Sequence, residues 1–102
     1  IPSTDATLQL LKTGKTIDEI ALIRGIQNRT VTNHIAQLLE KGLYTNISSL
    51  VPEEKIQKIV VIIKEVGTER LTPIKNRLPD YFTWDEVAIV RSYYNWLKKF
   101  VL

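Results

Sequence analysis

Arg29 and Asn33 stand four residues apart in the stretch from Thr16 to Gly42, so a helix through them carries both side chains on one face. An Arg fork matches O6 and N7 of guanine, and an Asn amide matches N6 and N7 of adenine. The pair near the start of a helix therefore suits base edges in a DNA major groove. Turning 100° per residue from Val31 puts Arg29, Asn33, Ala36 and Glu40 on the outward side, with Thr32 and Gln37 flanking them. His34, on the flank, has two readings: it donates to a phosphate oxygen, or it is a boundary side chain satisfied locally. The candidate DNA contacts are Lys15, Thr16, Arg29, Thr30, Thr32, Asn33, His34 and Gln37.

Two short helices must hold these residues. Thr16 and Glu19 form a capping box, and Ile17, Ile20, Ala21 and Ile23 supply the apolar side of the first helix. Ala21 is small enough for a close helix crossing, Gly25 suits a sharp turn, and Ile26 plugs the corner. Gln27 or Asn28 caps the second helix, which buries Val31, Ile35, Leu38 and Leu39 and ends at Gly42 after Lys41. The pattern predicts a helix-turn-helix; the alternative is an ordinary helical hairpin.

Upstream, Ser3 or Thr4 caps a bracing helix through Leu8, Leu10 and Leu11, closed by Gly14, which leaves Lys12 and Lys15 beside the helix-turn-helix. Downstream, the Asn, Ser and Thr of residues 43–50 mark a loop too short for a developed wing. Pro52 at N1, with Glu53 and Glu54 after it, opens a helix that Gly67 stops. Its centre, Ile59 to Ile63, is strand-like in composition, but Ile56, Ile59, Val60, Ile63 and Val66 keep helical spacing. A short helix is expected around Thr72 to Leu78. Thr83 and Glu86 form a second capping box, opening a last helix to about Phe100. That helix is apolar around roughly half its circumference, more than a surface helix needs. Either it packs centrally, or Tyr93, Trp96 and Phe100 form a patch for a partner. Arg91, Lys98 and Lys99 fall on its polar side, solvated or within reach of phosphates. The whole reads as all-α: a three-helix core over about 4–42 and a supporting bundle over about 52–100, about six helices in a single domain spanning 1–102.

At 102 residues the chain is large enough for one core. Without Cys it has no disulfide, thiolate metal site or thiol nucleophile. It has no apolar run of membrane-spanning length and no signal peptide pattern, so no membrane partner is expected. Starting at Ile1-Pro2 without Met, it reads as a fragment of a longer protein. The net charge of +3 and pI near 9.3 favour nucleic acid, yet residues 1–51 carry five basic and four acidic groups and residues 52–102 nine and seven. Neither half is a basic block, so weak and strongly salt-dependent DNA binding is expected. No phosphate loop or dinucleotide turn occurs, one His cannot build a zinc site without Cys, and the carboxylates are scattered. A non-catalytic segment that binds no cofactor or metal is expected.

The stretch from Thr7 to Gly42, followed by L-V-P-E-E-K-I-Q-K-I, L-T-P-I-K-N-R-L and W-D-E-V-A-I-V, resembles the helix-turn-helix domain at the C-terminal end of RecQ-type ATP-dependent DNA helicases. The likeness runs from about Thr4 to Trp96, and its most distinctive piece is I-A-L-I-R-G-I with T-V-T-N-H-I. It implies an accessory module in DNA repair and recombination, whose partners are duplex or forked DNA and the remainder of the helicase. ATP and a divalent metal would then belong to the parent motor alone. The location implied is cytoplasmic and nucleoid-associated in a bacterium, nuclear in a eukaryote. Thr16 to Gly42 is also similar to LuxR-type response-regulator output domains, including T-V-x-N-H at Thr30 to His34. The leading L-T-x-R-E signature is missing, however, and Thr32 and Ala36 stand where basic contacts are common. A third reading is a protein-docking module that uses the last helix.

Overall fold

The computed structural model describes residues 3–101. Six α-helices follow in order: α1 (Ser3–Lys12), α2 (Ile17–Arg24), α3 (Asn28–Glu40), α4 (Glu53–Val66), α5 (Leu71–Asn76) and α6 (Trp84–Phe100). A 3-10 turn, Ile47–Ser49, lies between α3 and α4, and no strand occurs among the described residues. The all-α expectation, with about six helices and no wing, is met. Ser3 and Thr4 lie within α1 instead of capping it, and the position before them lies outside the described residues.

The α2–α3 unit is built by local hydrogen bonding. Glu19 N–H donates to Thr16 Oγ1 at 3.2 Å, and Thr16 N–H donates to Glu19 Oε1 at 2.9 Å, completing the capping box. At the other end Gly25 turns left-handed, with φ 66°. The N–H groups of Gly25 and Ile26 reach back to the carbonyls of Leu22 and Ala21, at 3.3 and 3.1 Å. This crossed pair closes the helix, and a side chain at Gly25 would strain it by about 1–2 kcal/mol. Gln27 then takes the N-cap position of α3 without a side-chain bond, while the Asn28 amide donates to Asp18 and pins the two helix starts together.

Only part of α2 is apolar inward. Ile20 and Ala21 are buried, but Ile23 is 57% exposed and Leu22 85%, so Ile23 does not belong to the inner face. With just two turns, α2 has room for one buried ridge against α3. Along α3, Val31, Ile35, Leu38 and Leu39 are all buried as the spacing predicts.

Residues 59–63 are helical despite their β-branched composition, with Ile56, Ile59 and Ile63 buried in the core. Pro52 is the N-cap of α4, one position earlier than expected, and Glu53 and Glu54 occupy the first turn. α5 ends at Asn76, with Pro73 in its first turn where the missing N–H costs nothing. In α6, Glu86 N–H donates to Thr83 Oγ1 at 3.1 Å and Thr83 N–H to Glu86 Oε1 at 3.0 Å. Lys55 of α4 bonds both Glu86 Oε1 and the Tyr81 carbonyl at 2.9 Å, fastening the start of α6 to α4.

The broad apolar side of α6 has a direct cause. The helix packs on α3, α4 and α5 and on the 3-10 turn, so it needs several buried faces. Val87, Ile89 and Val90 are buried on it, in one cluster with Ile20, Val31, Ile35, Leu38, Ile59, Ile74 and Phe82. Helix α3, gripped by α1 and α2 on one side and α6 on the other, is the centre of the fold.

Candidate nucleic-acid interface

Helix α3 keeps its N-terminal half free for contact. Arg29, Asn33 and Gln37 are exposed, and Thr30 is half-buried beside them. The opposite face, Val31, Ile35 and Leu38, is the core. The structure therefore gathers Arg29, Thr30, Asn33 and Gln37 on one solvent-facing ridge directly after the Gly25 turn.

Thr32 is not on that ridge. It is 4% exposed, and its Oγ1 has no hydrogen-bond partner, which removes it from the candidate contacts. Thr32 falls about 100° from Val31, at the border of the apolar stripe, and α3 is packed by α1, α2 and α6, so the covered arc is wider than the stripe alone suggests. His34 sits on the α1 flank, half-buried, with Nδ1 2.9 Å from Thr7 Oγ1. Arg24 Nη1 donates to the same Thr7 oxygen at 2.8 Å. Burial lowers the His34 pKa below its usual 6.5, and the Arg24 charge lowers it further, so the ring is neutral at pH 7.

Thr16 is exposed, with its hydroxyl oxygen accepting in the capping box, and Lys15 is half-buried beside it. Both stand next to carboxylates. Glu19 is held below its usual pKa chiefly by the Thr16 backbone hydrogen bond, then by the Thr16 hydroxyl and the Lys15 charge, so it stays ionised at neutral pH. A cleft of about 230 Å³ brings the starts of α2 and α6 together around Asn28, and Asp18, Asp85 and Glu86 line it. That side of α3 repels phosphate. Favourable approach is along Arg29, Asn33 and Gln37, towards Lys41 at the end of α3.

The aromatic residues of α6 divide. Tyr93 packs on the core, and Trp96 is half-buried, its ring centroid 6.0 Å from that of Tyr93. The Trp96 indole lies against Gly42, which ends α3 with φ 72°. Phe100 is 66% exposed and Val101 59%. The three aromatics do not form one open patch; only Phe100 is free on the surface. A groove of about 440 Å³ runs beside Trp96, lined by Glu40, Thr68, Asn95, Lys98 and Lys99. Arg91 is half-buried and tied to backbone: its Nε donates to the Thr68 carbonyl at 2.6 Å and its Nη2 to the Glu69 carbonyl at 3.2 Å. It fastens the α4–α5 connection to α6.

Thr7 and Arg24 are contributors that sequence reasoning missed. A signal existed for Thr7, which shares a face with Leu11 one turn on and is fully buried. A polar residue on the inward side of a bracing helix needs a partner.

No curated protein and no solved structure matches this chain. A family model described as a helix-turn-helix domain matches residues 3–91, from α1 into the middle of α6. The capped α2, the left-handed Gly25 turn, the half-buried α3 and this match agree: the chain belongs to the helix-turn-helix domain family.

Proposed function

We propose that this chain is a non-catalytic DNA-binding accessory domain of a RecQ-type ATP-dependent DNA helicase that acts in repair and recombination. The observation that carries DNA binding is the exposed ridge of Arg29, Asn33 and Gln37 on a helix whose opposite face is core. The helicase context rests on the sequence resemblance, and the modest charge fits it, because a module tethered to a motor already on DNA works at high effective concentration. In this reading the motor supplies ATP and metal, and the chain contacts duplex or forked DNA and the remainder of the helicase. Its location follows that of the parent, the cytoplasm of a bacterium or the nucleus of a eukaryote.

The test is fluorescence anisotropy with labelled duplex, forked and single-stranded DNA at about 50 and 200 mM salt. Duplex or fork binding that weakens steeply with salt supports the accessory reading, and tight binding to one duplex sequence supports a transcription regulator instead. Exposed Phe100 and Val101 at the end of α6 favour a second reading, docking onto the helicase core or a repair protein. Absence of DNA binding even at low salt would move the function to that surface.

A further inference from the structure

Arg24 ends α2 just before the Gly25 turn, and its bond to Thr7 assigns the protons of a three-residue chain. A guanidinium has only donors, so Thr7 Oγ1 accepts from Arg24 Nη1, at 2.8 Å. The Thr7 side chain is fully buried, and its one hydroxyl proton goes to its other partner, His34 Nδ1, at 2.9 Å. Nδ1 is thereby an acceptor, and the neutral ring carries its hydrogen on Nε2. Nε2 has no hydrogen bond to any described residue and is not a buried orphan, so it reaches solvent.

We propose that Arg24 and Thr7 are positioning residues that lock His34 as a neutral Nε2–H donor for a DNA phosphate oxygen, beside the Arg29–Asn33–Gln37 ridge. The inference rests on the DNA-binding reading above. It gives α3 a fixed backbone contact whose geometry is set from α2 through α1, the kind of contact that sets orientation on a duplex without reading sequence.

The surroundings of His34 keep that donor neutral. From α2 the charged group facing it is Arg24; from α1 it meets the uncharged Thr7. On α3 itself, the residues one turn away are Thr30, Val31, Gln37 and Leu38, and the next cation along that flank is Lys41. A second proton would have to go on Nδ1, against an oxygen that already accepts from a guanidinium. The neutral Nε2–H tautomer is therefore the form present at neutral and alkaline pH.

The experiment combines ¹⁵N NMR of the His34 ring with anisotropy on one duplex, using the whole chain. The wild type is expected to show a pyridine-type Nδ1 and a pyrrole-type Nε2, with the Nε2 signal shifting when DNA is added. Thr7→Val should mix the tautomers, weaken DNA binding about three- to tenfold at pH 8, and introduce a pH dependence near the ordinary histidine range. Thr7→Ser should restore all three properties, which a purely structural role would not require. A proton on Nδ1 in the wild type overturns the proposal. So does unchanged affinity in both Thr7→Val and His34→Ala while Arg29→Ala weakens binding, a result that leaves the DNA reading standing. No binding by the wild type overturns both together.

Discussion

Gly25 and Gly42 offer a matched pair of substitutions whose difference isolates one contact. Both glycines follow a helix of the core and both are left-handed, with φ 66° and 72°. A Cβ on Gly25 meets nothing within 4 Å, whereas on Gly42 it would lie 2.9 Å from Trp96 Cε2 and closer still to Nε1. Gly25→Ala therefore incurs backbone strain of about 1–2 kcal/mol, partly offset by the lower entropy of the unfolded chain. Gly42→Ala carries the same strain and must also displace the indole, which adds about 1–3 kcal/mol. In a domain of this size each further kcal/mol lowers the Tm by about 4–8 °C. Thermal and urea unfolding followed by circular dichroism should show Gly42→Ala to be the less stable variant by at least that interval. In a Trp96→Leu background the excess should vanish, leaving the cost seen at Gly25. Equal stability of the two single variants would refute the argument that Trp96 closes over the end of α3.

Replacing Arg29 by Ala should weaken duplex binding by about 1–3 kcal/mol if Arg29 pairs bidentately with a base, and by less if it meets a single phosphate; an Arg29→Ala, Asn33→Ala double variant with wild-type affinity would remove α3 as the recognition helix. Thr83→Ala, which deletes the cap of α6, should destabilise the domain by about 1 kcal/mol in urea titration. Burial raises the Glu86 pKa, but the hydrogen bonds from the Thr83 backbone and Lys55 outweigh it and leave the folded value below the usual 4.5. Stability from this carboxylate is thus complete above pH 4.5 and lost as the pH falls through the lower folded value. Acid titration of Lys55→Met should show a smaller loss over that window than the wild type.

The parts legible in the sequence are those whose causes lie close together along the chain. Both capping boxes place donor and acceptor three residues apart, and the Gly25 turn closes over five residues, so residue types alone announce them. Helix α4 was readable through its β-branched centre because Ile56, Ile59 and Ile63 repeat on one side. What stayed hidden depends on partners distant in sequence. The fate of Thr32, at the border of the apolar stripe, is decided by tertiary packing on α3, which its own helix's periodicity does not show. Thr7 meets Arg24 across 17 residues and His34 across 27, and Arg91 finds a carbonyl 23 residues away. None of these pairings leaves a periodic trace. Arg29 and Asn33 are outward as expected, with Gln37 exposed on their flank, because the burial of Val31, Ile35 and Leu38 on the same helix dictates it; Ala36, expected outward with them, is half-buried, and Glu40 accepts from Ser92 of α6 at 3.4 Å.

Helix α6 leans on α3 along the side that α1 and α2 leave open, and this makes the recognition unit indivisible. A cassette cut after Leu43 would bare the wall of α3 that α6 covers, trading core for sticky surface. If α3 enters a groove as proposed above, a tilt of α3 must carry α6 with it, and through α6 the seats of α4 and α5. In that reading, a push on the exposed ridge of α3 is felt through α6 by α4 and α5, which do not touch the ridge themselves.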